Sequence, residues 1–362
     1  MKEVSIAVVG AGGVGSCFLQ QLALIATTHP KLRFHLNYIA IIDKALYHDD
    51  FSDIDIDTAL ATLEASGAPL PNLDVVIDYL ASIPRKVVFV DNTSSQAIAE
   101  AYPKILQRGI SIVTPNKKAF SSSYELWQQI FATSLSTGAL VYHESSVGAG
   151  MPIISTLNDM VATGDKIQKI EGVFSGTMSY LFNSFAPLTG SGGRWSEEVR
   201  KAKALGFTEP DPRDDLNGLD VARKLTILAR LAGLPLSSAT SFSVQNLIPE
   251  KLRRDLSTEE FLERLIAYDD EMDLLKQEAA AADKVVRFVG SIDFTTGIAS
   301  VGLQWYDRLH SIANLQGSDN IISFYTERYG SKPLIIRGAG AGGAVTAMGV
   351  SSDLLKVVSQ IV

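Results

Sequence analysis

Cysteine is nearly absent: Cys17 is the only one in 362 residues. No internal disulfide can form, which suits a reducing compartment, and we expect a cytoplasmic protein. Histidine is scarce too, and His29, His35, His48, His143 and His310 show none of the paired spacings of a zinc site. No apolar run approaches the ~18 residues that a membrane-spanning helix requires. The strand-like VSIAVV begins already at Val4, so no signal peptide is expected. Positive charge is in deficit, with 32 Lys and Arg against 40 Asp and Glu, and the net charge of −8 argues against nucleic acid or an anionic membrane as the main partner. With 46% hydrophobic and 20% charged residues, the chain is long enough for two or three compact units.

VSIAVV at 4–9 runs directly into GAGGVG at 10–15, and a helical pattern, SCFLQQLALIATT, follows. Strand, glycine turn and helix form the context in which G-x-G-x-x-G binds a dinucleotide. Gly10 makes the tight turn, Gly12 lets main chain approach a pyrophosphate, and Gly15 allows close helix–strand packing. Ala11, Gly13 and Val14 complete the loop, whose helix N-terminus offers free N–H groups to an anion. A second apolar strand, YIAIID, is expected to end at Asp43, with Lys44 next. An acid there accepts from the ribose 2′-hydroxyl of NAD, whereas a cation can hold the 2′-phosphate of NADP. Both residue types are present, so NAD and NADP stay open.

Further strand-like runs are DVVIDYL (74–80), KVVFVDNT (86–93), ISIVTPN (110–116) and ALVYHESS (139–146), with helical stretches at 95–107 and 121–135. This alternation predicts an α/β fold, a Rossmann-like doubly wound parallel sheet whose ligand sits at the carboxyl ends of its strands. Asn92, Thr93 and TPNKK (114–118) fall at such ends, which places Lys117 to meet cofactor or substrate, unless it is a solvated surface lysine.

From Met151 the texture changes. IQKIEGVFSG reads as a strand, Gly176-Thr177 as a turn into the helix TMSYLFNSF, TGSGGR as a loop, and WSEEVRKAKALG as a helix stopped by Gly206. Then comes TEPDPRDDLNGLDVARK (208–224), where Glu209, Asp211, Asp214, Asp215 and Asp220 crowd ahead of Lys224. It is either a solvated acidic arm or a grip for a small cationic substrate. A helix is expected from about Leu216, in which Asp220 and Lys224 lie roughly 40° apart on one face. Ile227 and Leu231 continue that row, and Val221, Leu225 and Leu228 make the opposite side apolar, so the helix is predicted to be buried. An ion pair inside a buried helix pays desolvation and points to a functional reason.

The run AKALGFTEPDPRDDLNGLDVARK (202–224) resembles the signature of the homoserine dehydrogenases at Ala202, Gly206, Phe207, Thr208, Asp211, Pro212, Asp215, Leu216, Gly218, Asp220 and Lys224. VVGAGGVG, NTSS (92–95), TPNKKAFS (114–121), HESSVGAGMPII (143–154), SGTMSYLF (175–182) and RGAGAGGAVTA (337–347) extend the likeness over nearly the whole chain, which is closest to the short monofunctional fungal type. The resemblance implies reversible NAD(P)-dependent conversion of L-aspartate 4-semialdehyde to L-homoserine, on the route to threonine, methionine and isoleucine. It implies that Glu209, Asp214 and Asp220 line the substrate site together with Gly176 and Thr177. The chemistry then falls to Lys224 and Lys117, with Asp220 orienting Lys224. It also implies a bound sodium ion at Glu144 and the carbonyls of Val147, Ala149 and Met151, and a homodimer; His143, beside Glu144, is read as structural.

Residues 285–303 and 318–337 alternate like strands, and IIRGAGAGGAVTAMGVSSDLLKVVSQIV reads as strand, glycine turn and helix. By resemblance the chain end returns to the first domain and brings Gly340 toward the nicotinamide. The expected division is a dinucleotide-binding domain of 1–150 with 338–362, a catalytic α+β region of 151–286, and strands in 287–337 that complete a mixed central sheet for dimerisation. Two rivals are an aspartate-semialdehyde dehydrogenase, which needs a cysteine nucleophile that only Cys17 could supply, and a non-catalytic nucleotide sensor.

Overall fold

The computed structural model describes residues 2–66, 68–253 and 255–362. In chain order the elements are β1 (Lys2–Val9), α1 (Gly13–Thr28), β2 (Leu32–Ala40), β3 (Ala45–Tyr47), α2 (Ala59–Ser66), α3 (Leu73–Ser82), β4 (Val87–Asp91), α4 (Gln96–Glu100), α5 (Tyr102–Gln107), β5 (Ser111–Val113), α6 (Lys118–Ser121), α7 (Tyr124–Thr137) and β6 (Val141–Tyr142). There follow α8 (Ile153–Ala162), β7 (Ile167–Val173), α9 (Gly176–Phe185), α10 (Trp195–Ala204), α11 (Arg213–Leu216), α12 (Leu219–Leu231), β8 (Ser243–Val244), α13 (Thr258–Leu265), α14 (Asp269–Ala281), β9 (Lys284–Asp293), β10 (Ile298–Asp307), β11 (Asp319–Thr326), β12 (Leu334–Ala339) and α15 (Gly343–Ile361). They form two compact units, Met1–Ile154 with Ala341–Val362, and Ser155–Gly340.

The first unit holds a sheet of order β3-β2-β1-β4-β5-β6. Its strands are parallel except for β3, which runs antiparallel to β2 at the edge. The chain enters at β1 and builds outward first to β2, then back across to β4, so the order reverses between β1 and β4. That switch point is where an open α/β sheet binds its ligand. Val4, Ile6 and Val8 of β1, Phe18 and Leu22 of α1, and Leu354 and Val358 of α15 share one buried core, so both chain ends build this unit.

The second unit's sheet has the order β12-β11-β7-β9-β10-β8. Its pairings are antiparallel except for β10 with β8, which makes it mixed. In α12, nine of thirteen residues are buried, Lys224 and Arg230 among them. Leu225 packs under β9 beside Gly290, where a Cβ would already lie 3.2 Å from its Cδ1. Removing such a side chain typically costs about 2–5 kcal/mol.

Several local expectations are corrected. Residues 74–80 form helix, not strand: the Asn72 side chain accepts from Asp74 N at 3.0 Å, and Val76, Ile77 and Leu80 bury one helical face. β2 starts at Leu32 and stops at Ala40, short of Asp43, because the chain turns there into the antiparallel β3. Of 139–146 only Val141–Tyr142 is strand; Glu144–Ser146 is a 3₁₀ turn. The expected single helix at 95–107 is two, α4 and α5, where Ala101 ends one and starts the next. The expected helix at Leu216 begins at Leu219, because Gly218, at φ +74°, turns the chain between α11 and α12.

Candidate active site

The nucleotide half is built on Gly10, Gly12 and Gly15. Gly10 has φ +86°, and a Cβ there would lie 2.7 Å from Thr93 Cγ2 and 2.9 Å from the Asn92 carbonyl carbon. A Cβ on Gly15 would overlap the Gly10 carbonyl, so that glycine is fixed by the protein's own packing. Gly12 and Gly13 face open space instead. Ala11 and Val14 put their side chains into the core, which leaves only main chain for a ligand. α1 begins at Gly13, its N-cap Gly12 offers no side-chain cap and its first turn carries no acid, an N-terminus suited to a phosphate.

Asn92 continues β4 at the switch point. Both ends of its side chain are buried without a hydrogen-bond partner among the described residues, and its Nδ2 lies 3.6 Å from the position of a Gly15 Cβ. An amide left so costs about 1–3 kcal/mol unless a ligand or water meets it. The cradle therefore fits a dinucleotide. Thr93 donates its N–H to Asp91 Oδ1 at 2.8 Å. Asp43 is exposed on the turn after β2, while Lys44 Nζ donates to the Glu64 carbonyl at 3.0 Å, at the C-terminal end of α2. Lys117 is half-buried at the start of α6, its carbonyl accepting from Phe120 N, Ser121 N and Ser121 Oγ.

Glu144, Val147, Ala149 and Met151 share one buried turn of this unit, with Gly148 and Ala149 both at positive φ. Glu144 Oε1 accepts from Ile154 N at 2.6 Å, its own N–H donates to Asp353 Oδ2 at 2.7 Å, and Lys356 Nζ is 3.8 Å from Oε2. One carboxylate with neighbouring carbonyls is an oxygen donor set that fits a hard monovalent cation. No group of three His, Cys, Asp or Glu side chains suited to a metal occurs among the described residues. His143 stacks on Phe120 at 3.9 Å, and burial pushes its pKa down to about 3. Cys17 packs into the core cluster and lies 3.4 Å from a Cβ position on Gly343, which gives a thiol nucleophile no support.

In the second unit the five carboxylates separate by partner. Asp211 is held by Arg213 through three contacts of 2.6–3.0 Å. Asp215 accepts from Glu209 N at 2.8 Å and from Thr177 Oγ1 at 2.8 Å, and burial raises its pKa. Asp220 Oδ2 lies 2.7 Å from Lys224 Nζ. The Glu209 and Asp214 side chains are exposed and make no hydrogen bond or ion pair among the described residues. Lys224 is 8% exposed and donates also to the Phe174 carbonyl at 2.7 Å. Beside that carbonyl α9 begins at Gly176, with Ser175 Oγ accepting from Met178 N at 3.2 Å and no acid in the first turn.

Gly340 is buried at the end of β12, where a Cβ would overlap the side-chain amide of Asn320. Asn320 is fully buried, and both ends of its amide lack a partner among the described residues. Sequence reasoning missed it, as it missed the anchoring role of Asp215. The signal for Asp215 was its place in the motif; Asn320 left none. Two clefts of about 510 and 470 Å³ in this unit, one floored by Lys276 and Val285 and the other by Trp195 and Leu247, contain none of the predicted site residues.

A glycine turn at a sheet switch point, in one chain with a buried lysine on a carboxylate, is the residue set of a dinucleotide-dependent dehydrogenase. The particular family follows from comparison. A family model described as Homoserine dehydrogenase matches residues 152–355, and one described as Homoserine dehydrogenase, NAD binding domain matches residues 10–144. The chain is 53% identical to the homoserine dehydrogenase of Paracoccidioides brasiliensis and 48% identical to that of Saccharomyces cerevisiae, over 99% of each chain in both cases. A crystal structure of a Candida auris protein of unknown function is similar with a TM-score of 0.94 and 45% identity, covering 100% of this chain and 99% of that one. A hyperthermophilic archaeal homoserine dehydrogenase in complex with NADPH shares the fold at TM-score 0.74 and 22% identity, covering 99% and 98%. The chain belongs to the homoserine dehydrogenase family and is an NAD(P)-dependent oxidoreductase. Its reaction is the reversible reduction of L-aspartate 4-semialdehyde to L-homoserine.

Proposed function

We propose that Lys224 is the acid–base group of this reaction and that Asp220 holds it in place. The observation that carries the reading is the ammonium fixed by two acceptors, Asp220 Oδ2 and Phe174 O, both at 2.7 Å. An ammonium so held has a fixed direction from which to exchange a proton with the substrate oxygen. The nucleotide supplies or accepts the hydride when bound. In the reducing direction Lys224 gives its proton to the oxygen that becomes the hydroxyl; in the oxidising direction the neutral amine removes it. Lys117 is a second cation for the developing alkoxide, and the packing that fixes its main chain supports that role.

Glu209 and Asp214 bind the substrate's α-ammonium, a reading supported by their being the carboxylates of the acidic arm that other side chains leave free. Gly176 and Thr177 present the N-terminus of α9 to the α-carboxylate. Gly10 to Gly15, Asp43, Lys44, Asn92, Thr93, Lys117 and Gly340 are assigned to the nucleotide. A sodium ion at Glu144, Val147, Ala149 and Met151 would brace their turn and take no part in proton transfer. A homodimer is proposed from the family resemblance. It is supported by one face of the second sheet, where Lys169, Tyr325 and the 41%-exposed Ile335 stand together. A cytoplasmic site in threonine, methionine and isoleucine biosynthesis completes the reading.

The test is absorbance growth at 340 nm with L-homoserine and each nucleotide, for the wild type and for Lys224→Ala. Turnover by the wild type that survives in the variant would remove Lys224 from the mechanism.

A further inference from the structure

β4 ends in a carboxyl group that the core has no apolar reason to hold. Asp91 is fully buried at the carboxyl end of its strand, at the switch point. Its Oδ1 accepts from Thr93 N at 2.8 Å, and its Oδ2 accepts from Tyr102 Oη at 2.6 Å and Asn116 Nδ2 at 3.0 Å. Its main-chain oxygen accepts from Thr114 Oγ1 at 2.7 Å. Asn116 in turn donates to Ser95 O at 3.0 Å and accepts from Lys118 N at 3.0 Å. Lys117 therefore lies between two residues whose positions are set by this network.

Stability alone does not call for such an arrangement. Buried polar networks are often matched or bettered by apolar packing of the same volume. The neighbouring positions Val88, Phe89, Val90, Ile112 and Val113 are apolar and buried, as a sheet core requires. The polar set is confined to the strand ends that face the ligand side of the fold.

We propose that Asp91 is a positioning residue for the reaction: through Asn116 it fixes the main chain that carries Lys117, and through Thr93 it fixes the turn that carries Asn92. The proposal rests on the assignment of Lys117 to the reaction. A lysine whose Cα shifts sweeps its ammonium off line, and misplacement by about 1 Å can cost on the order of 10²-fold in rate.

A double-mutant cycle separates positioning from general support of the fold. Asn116→Ala cuts the link between Asp91 and Lys117 while Asp91 keeps Tyr102 and Thr93. We expect it to lower kcat roughly tenfold or more in the wild-type background, with nucleotide affinity by fluorescence titration held within roughly threefold. In the Lys117→Ala background the same substitution should cost less than about twofold, because the group it positions is gone. Equal losses in both backgrounds, or no loss in the wild-type background, overturn the proposal. Asn116→Ser, which keeps a small polar side chain, serves the same cycle if the alanine variant does not fold. Full turnover by Lys117→Ala alone would sink the Lys117 assignment itself, whereas a slow Lys117→Ala beside a normal Asn116→Ala sinks only the role of Asp91.

Discussion

Lys224 Nζ and Asp220 Oδ2 stand 2.7 Å apart on adjacent turns of α12, the lysine 8% exposed and the aspartate side chain 38% exposed. An exposed pair at this spacing is worth only about 0.3–0.5 kcal/mol. Here one partner is buried and also bonded to Phe174 O. Lys224→Ala is expected to lower kcat by roughly 10²-fold or more while nucleotide affinity is retained. Steady-state rates combined with a binding titration check both halves.

The acidic arm predicts two different phenotypes from like charges. Glu209→Gln should raise the KM for homoserine and leave the nucleotide KM alone. Asp211→Asn should instead lower stability by about 1–2 kcal/mol through loss of the Arg213 pairing, with little change in KM. Denaturant melts and initial rates on both variants decide it; a reversed pattern would reassign the two residues.

Two glycines of one loop should fail for different reasons. Gly15→Ala drives a methyl into the Gly10 carbonyl and should lower the thermal stability of the free protein. Gly12→Ala meets no protein atom within 4 Å, so the free protein should melt normally while losing nucleotide affinity. Calorimetry with and without nucleotide separates the outcomes.

Lys44 spends its ammonium on the Glu64 carbonyl, while Asp43 is exposed on the turn. The wild type is expected to favour NAD over NADP in kcat/KM, and Asp43→Ser to shift the ratio by roughly tenfold toward NADP, the scale of one charged hydrogen bond. A wild type that prefers NADP would show that Lys44 leaves α2 when the nucleotide binds.

Burial raises the pKa of Asp353 to about 6. A carboxyl raised on folding binds more protons in the native state than in the unfolded one between its two pKa values. The stability it contributes is full below about pH 4 and is lost as pH rises through 6. The loss is on the order of 2–3 kcal/mol. Asp353→Asn should flatten this part of the profile, so the difference in melting temperature between variant and wild type should grow in the variant's favour from pH 4.5 to pH 7.

The glycine turn was legible because its cause is local. Gly10, Gly12 and Gly15 lie within six residues, and their spacing follows from the geometry of a strand feeding a helix. The burial of α12 was legible in the same way from its apolar period. DVVIDYL was misread because Val and Ile suit both a strand and a helix face, and the Asn72 cap that decides the matter lies outside the run. The composition of the acidic arm gave five carboxylates without ranking them, and only the resemblance singled out Glu209, Asp214 and Asp220. Asp211 is removed from contention by Arg213 and Asp215 by Thr177, and only contacts reveal that.

The amino-acid order by itself determined the α/β alternation, the nucleotide turn, the placing of Asp220 and Lys224 one helical turn apart, and the family. Tertiary structure alone decided which polar groups are free and which are anchors. Asp91 meets Asn116 across 25 residues and Glu144 meets Asp353 across 209. Periodicity and steric limits act within a few residues, whereas a partner for a buried charge exists only once the sheet has closed around it.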